Sequence, residues 1–128
     1  VKYLSLDWIE AVRDQVKGSA EFDALPADTT FGLTQVITDG PEGAVVYHVQ
    51  VANGEASFGP GPAPLEQVRL QQTYQVTLDI ATGKMPAQEL FVKGLVTLSG
   101  DVTALQGTDP VFLALNKAFE AVRPQVEY

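Results

Sequence analysis

Apolar side chains change their spacing several times along this chain, and each change marks an element. Trp8, Ile9, Val12 and Val16 recur at the 3.6-residue period of an amphipathic helix over 6–17. Ser5 stands before it as an N-cap, Asp7 and Glu10 fall in the first turn, where the helix dipole favours acids, and Gly18 ends it. Residues 21–28 contain Pro26 and read as a connector. The period then drops to two. Phe31, Leu33 and Ile37 alternate with smaller or polar residues and predict a strand over 30–38. After the turn Asp39-Gly40-Pro41-Glu42-Gly43, a second strand puts Val45, Tyr47, Val49 and Val51 on one side and Val46, His48 and Gln50 on the other. Asn53-Gly54 is the pair a type I′ hairpin demands, so 55–59 returns as a third strand with Ala56 and Phe58 on its apolar side.

Residues 59–64 hold three prolines, which cannot serve a central strand, and read as a loop. Val68 and Leu70 alternate with polar neighbours in a short fourth strand. Residues 73–82 predict a helix ending at Gly83, and Pro86 suits the first position of a short helix running to 92, with Gly94 after it. Val96 and Leu98 mark a fifth strand stopped by Gly100-Asp101, and 101–105 is one helical turn. Thr108 or Asp109 caps a last helix over 110–123, whose stripe is Val111, Phe112, Leu115, Ala118, Phe119 and Val122. The sum is α+β: an antiparallel meander, a helix pair, a late strand and a closing helix.

Composition narrows the functions open to such a fold. The 128 residues are 45% hydrophobic, enough for one domain (1–128) with a real core. Eight basic against sixteen acidic side chains give a net charge of -8, which argues against nucleic acid and against anionic bilayers as partners. With no Cys and a single His, disulfides, thiolate nucleophiles and Cys- or His-rich metal sites are excluded. No apolar run is long enough for a stable membrane insertion, and residues 1–5 lack the apolar stretch of a signal peptide, so the expected location is cytoplasmic. His48 lies opposite the Val45–Val51 row and reads as structural. No phosphate-cradling glycine motif and no Gly-x-Ser-x-Gly elbow occurs. Among the carboxylates, Asp7, Glu10 and Asp14 sit on a solvated helix face. Asp79 alone lies on a helix apolar on two sides, with Tyr74 as the one accompanying donor. No catalytic residue, metal ligand or cofactor is assigned.

The informative feature is a surplus of apolar side chains after residue 73. The 73–82 helix shows Tyr74, Leu78 and Ala81 on one side and Val76 and Ile80 on the other; Leu90, Phe91, Val92, Leu95, Val96 and Leu98 follow. A helix apolar on two sides must pack against two things: the sheet, and a further helix, a partner or a ligand cavity. Within this stretch, Thr82-Gly83-Lys84-Met85, then Pro86-Ala87-Gln88-Glu89-Leu90-Phe91, then Gly94-Leu95-Val96-Thr97-Leu98-Ser99-Gly100-Asp101 resembles the signature of the sterol carrier protein type 2 family. The order of elements resembles it too.

That resemblance implies a five-stranded, mostly antiparallel sheet covered on one face by helices, with a hydrophobic tunnel between them. It implies non-covalent binding of a lipid or other hydrophobic small molecule such as a sterol, fatty acid or fatty acyl-CoA, and no chemistry by the domain itself. Phe91, Val92, Val96 and Leu98 match the family's short helix and strand, and Met85 matches the residue after the Thr-Gly-Lys. Ile80, Phe112, Leu115 and Phe119 join them as expected ligand-binding residues by helical periodicity. Burying fifteen methylenes gains roughly 12 kcal/mol gross, against an association cost of ~4 kcal/mol or more, so tight binding needs no specific polar contact. Two readings compete. A small α+β pocket enzyme of the isomerase kind would use Asp79 and Tyr74 in one apolar pocket. An interaction module would spend the surplus surface on a homodimer.

Overall fold

The computed structural model describes residues 1–41, 43–86, 89–105 and 109–127, without the side chains of Leu90, Phe91, Val102, Leu105 and Asp109. Ser5 accepts a hydrogen bond from the Trp8 N–H (3.2 Å) and starts α1, Leu6–Lys17, which Gly18 closes as its spacing predicts. The connector expected over 21–28 is partly helical: α2, Ala20–Asp23, is capped by Ser19 on the Phe22 N–H. Burial of Phe22, 5% exposed, holds this single turn in place.

Three strands follow, β1 (Phe31–Gly40), β2 (Gly43–Ala52) and β3 (Glu55–Pro60). The first outruns its expected end by two residues, because Asp39 adopts φ 60° and the register slips between Ile37 and Gly40. Glu42 in the expected turn lies outside the described residues. Asn53 and Gly54 both have positive φ, 53° and 77°, the requirement of the type I′ turn. β4 (Val68–Thr73) leads directly into α3 (Tyr74–Ala81), and α4 (Glu89–Val92) falls within the helix expected from Pro86, of which Ala87 and Gln88 lie outside the described residues. β5 (Thr97–Gly100), a 3₁₀ turn (Val102–Leu105) and α5 (Asp109–Val122) complete the order; Thr108, the alternative cap, is not described.

The sheet order is β3-β2-β1-β4-β5. Three pairings are antiparallel and one, β1 with β4, is parallel. This is the five-stranded, mostly antiparallel sheet of the expectation. α1 lies against β3 and α5, and α3 lies against β1 and β4. Beneath the helices, Phe31, Leu33 and Ile37 of β1, Tyr47, Val49 and Val51 of β2, Phe58 of β3 and Val68 of β4 are all buried. Trp8 stacks on Phe119 (5.5 Å between ring centres) and meets Tyr47 and Phe58 edge-on, so the space under α1 is filled by aromatic rings.

Among the described residues no helix covers the opposite face. The proline-rich segment 61–67 crosses it as a strap, carrying the chain from β3 over β2 and β1 to β4. A crossover between parallel strands usually takes a dozen residues or more. Here β3 ends beside Tyr47 and β4 begins beside Leu33, two residues along the same sheet, so the path is nearly sideways. Three strand spacings are about 14 Å, within the reach of seven residues at ~3.3 Å each. The strap's backbone is bonded as it goes: Gly61 N–H to Val46 O (2.8 Å), Ala63 N–H to Thr34 Oγ1 (2.9 Å), Leu65 N–H to Gln50 Oε1 (3.0 Å) and Gln67 N–H to Gly32 O (2.9 Å). His48 Nδ1 sits 3.0 Å from Gly61 O, which gives the lone imidazole a structural partner. The Thr34 hydroxyl also bonds Glu66, and with Arg69 it holds that carboxyl below its ordinary pKa.

Candidate functional site

The segment singled out by its apolar surplus begins where β4 becomes α3. Thr73 caps that helix on the Val76 N–H (3.3 Å). Thr77, buried at 5%, donates to Thr73 O (2.9 Å) and accepts from Gln72 Nε2 (2.7 Å), which fastens α3 to β4 through a polar pair. Gly83 at φ 81° ends the helix, and Lys84 and Met85 donate back to Asp79 O. Gly94 at φ 65° turns the chain out of α4 toward β5, where Leu98 stands opposite Leu70.

The expected ligand-binding residues divide into groups. Ile80 and Met85 are half-buried. Val96, Leu98 and Phe112 are also half-buried and pack against the edge of the core, Phe112 with its ring 6.0 Å from Phe31. Leu115 is closed into the core at 2% exposure, and Phe119 is committed to the ring stack on Trp8. Val92 points to solvent at 84%. The Phe91 side chain lies outside the described residues. Clefts of about 280 and 200 Å³ open on the surface, and none of the eight expected residues whose side chains are described lines either. The larger is bounded by Tyr3, Leu4, Pro41, Val45 and Tyr74.

Two polar residues that the periodicity argument passed over lie on the helix-covered face. Gln35 stands between Leu33 and Ile37, and Gln72 follows Val68 and Leu70. The Tyr47 hydroxyl donates to Gln35 Oε1 at 3.0 Å. Burial pushes the Tyr47 pKa up, which keeps that hydroxyl protonated as a donor. The available signal was the interruption itself: an amide at a position where alternation calls for an aliphatic.

The pair needed for an isomerase is not assembled. Asp79, half-buried, accepts from Gln75 Nε2 (2.9 Å) on α3. Tyr74 turns toward Tyr3, with ring centres 6.4 Å apart, and lines the larger cleft, which Asp79 does not border. Among the described residues no group of three His, Asp or Glu is placed to hold a metal ion, and no helix is long and apolar enough to cross a membrane.

No protein-family model and no curated protein matches the sequence. Solved structures do match. A sterol carrier protein 2 crystal structure aligns at a TM-score of 0.65 with 15% identity, over 94% of this chain and 97% of that one. Sterol carrier protein 2 from Yarrowia lipolytica, in its apo form, aligns at 0.62 with 16% identity, over 86% and 88%. The palmitated sterol carrier protein 2-like protein of Aedes aegypti aligns at 0.53 with 17% identity, over 83% and 90%. The likeness extends well past the 82–101 segment, and the chain has the fold of the sterol carrier protein 2 structures.

Proposed function

We propose that this chain binds a lipid or similar hydrophobic small molecule, without covalent chemistry, along the apolar surface that α3, β5 and the start of α5 leave incompletely covered. The observation that carries the reading is a contrast in burial. Between Tyr74 and Gly100 the one buried residue among the described side chains is Thr77, while Val76, Leu78, Ile80, Met85, Leu95, Val96 and Leu98 remain half-exposed. The core-facing stripe of α1 (Trp8, Ile9, Val12 and Val16) and the helix-facing residues Phe31, Leu33, Ile37, Tyr47, Val49, Val51 and Phe58 are by contrast closed, although Leu6 at the start of α1 is exposed. Half-covered aliphatic area is what an apolar ligand would take out of water, at about 25 cal/mol for each Å². The palmitated state of the structurally similar Aedes aegypti protein supports a fatty acyl chain as one ligand class. Ile80, Met85, Val96, Leu98 and Phe112 form the working site, with Phe91 expected beside them. Transfer of the ligand between membranes is a further part of this reading.

Titration with a fluorescent fatty acid tests it. Saturable binding is expected, together with its loss in Leu98→Asp under conditions where Trp8 emission shows that variant folded. Absence of saturable binding by the unaltered protein refutes the reading.

A further inference from the structure

Position 35 breaks the burial pattern of its surroundings. On the helix-covered side of β1, Leu33 is 1% exposed and Ile37 is 0%. Gln35 lies between them on the same side and is only half-buried. Its lateral neighbours are closed as well, Tyr47 on β2 at 3% and Leu70 on β4 at 9%. β1 is the middle strand of five, so solvent does not reach this side chain from a sheet edge. A half-exposed residue bounded on four sides by buried ones requires an opening above it, between the covering helices.

The chemistry left at the floor of that opening is specific. The Tyr47 hydroxyl occupies the carboxamide oxygen. The carboxamide nitrogen carries two N–H groups and makes no hydrogen bond to another residue, yet no fully buried side-chain nitrogen or oxygen among the described residues lacks a partner. The nitrogen is therefore in contact with solvent, a donor on the helix-covered face of the sheet. Resting on the lipid-binding reading above, we propose that Gln35 reads the polar end of the ligand: its N–H donates to an oxygen acceptor, a carboxylate, carbonyl or hydroxyl, at the end of an apolar chain lying along α3 and β5. Tyr47 is a positioning residue that fixes which way the carboxamide faces. A plain hydrocarbon would strip water from this N–H and return nothing. An oxygen-bearing chain replaces the lost bond, a difference of about tenfold in affinity for one hydrogen bond.

Equilibrium dialysis with dodecanoic acid, dodecanol and dodecane tests the assignment. The unaltered protein is expected to hold the acid and the alcohol at least about tenfold more tightly than dodecane. Gln35→Met keeps the length and removes the donor. It is expected to bring the acid and alcohol down to the dodecane level while dodecane binding stays or improves. Tyr47→Phe, with the carboxamide present but unfixed, is expected to fall between. Gln35→Leu is a second variant in case the first fails to fold. Discrimination that survives loss of the amide overturns the role of Gln35 alone. Equal binding of all three by the unaltered protein overturns it too. Failure of the unaltered protein to bind any of the three overturns both this assignment and the lipid-binding reading beneath it.

Discussion

Gly32→Ala is the sharpest probe of how the strap is held. A Cβ at position 32 would lie 2.1 Å from the Leu65 carbonyl oxygen, 2.7 Å from Gln50 Oε1 and 2.8 Å from the Leu65 carbonyl carbon. Ordinary van der Waals contact begins at 3.4 Å, so the strap backbone must retreat by more than 1 Å. Two of the three obstructing atoms are backbone, which leaves no side-chain rotation to relieve them. Three hydrogen bonds run through this point: Gln67 N–H to Gly32 O, Gly32 N–H to Gln67 Oε1 and Leu65 N–H to Gln50 Oε1. At about 1 kcal/mol each their loss costs roughly 3 kcal/mol. Removing a glycine from the unfolded chain returns about 0.5–1 kcal/mol. The net expectation is a destabilisation of about 2 kcal/mol. With a urea slope of roughly 1–3 kcal/mol per molar, the midpoint falls by about 1 M. Amide exchange at Leu65 and Gln67 should accelerate with it. An unchanged or higher midpoint refutes the packing of the strap against β1.

Trp8→Ala removes the centre of the ring cluster formed with Tyr3, Tyr47, Phe58 and Phe119, and the expected loss is about 3–5 kcal/mol in chemical denaturation. Glu66 has a folded-state pKa below its ordinary 4.5 because of the Thr34 hydroxyl first and Arg69 second. Its contribution to stability is therefore complete above the ordinary value and is lost as pH falls through the folded one. Thermal melts from pH 6 downward should show that acid sensitivity blunted in Glu66→Gln.

Much of this architecture is written in local pattern. The helix at 6–17 has its cap, its acidic first turn, its stripe and its stop within its own sequence, and the structure reproduces both ends. The Asn53-Gly54 pair dictates its hairpin through backbone conformation alone. What periodicity did not show depends on distant partners. The α2 turn exists because Phe22 finds a place in a core built by other elements. The parallel pairing of β1 with β4 follows from a strap whose donors meet Thr34 and Gln50, residues with nothing unusual about them in isolation. The candidate site is split in the same manner. Of the residues expected to meet a ligand, Leu98 and Phe112 lie half-buried at the border of the core, whereas Leu115 and Phe119 pack against α1 and the sheet, a competition that helical spacing cannot resolve. Gln35 was visible as an exception to alternation, and its meaning came with the burial of its four neighbours.

The strap also sets an order of assembly. Its hydrogen-bond partners are Gly32 and Thr34 on one strand and Val46 and Gln50 on the next, so it has nowhere to lie until those two strands are zipped together. The hairpins are short-range and close early, whereas β4 docks only after the chain has traversed them, a non-local step that carries the entropy of the whole loop. α3 and β5 come later still in the chain. The half-covered apolar wall lies wholly beyond the strap in the chain, so a nascent chain arrested before that traverse would hold the β1–β2–β3 meander and none of that wall.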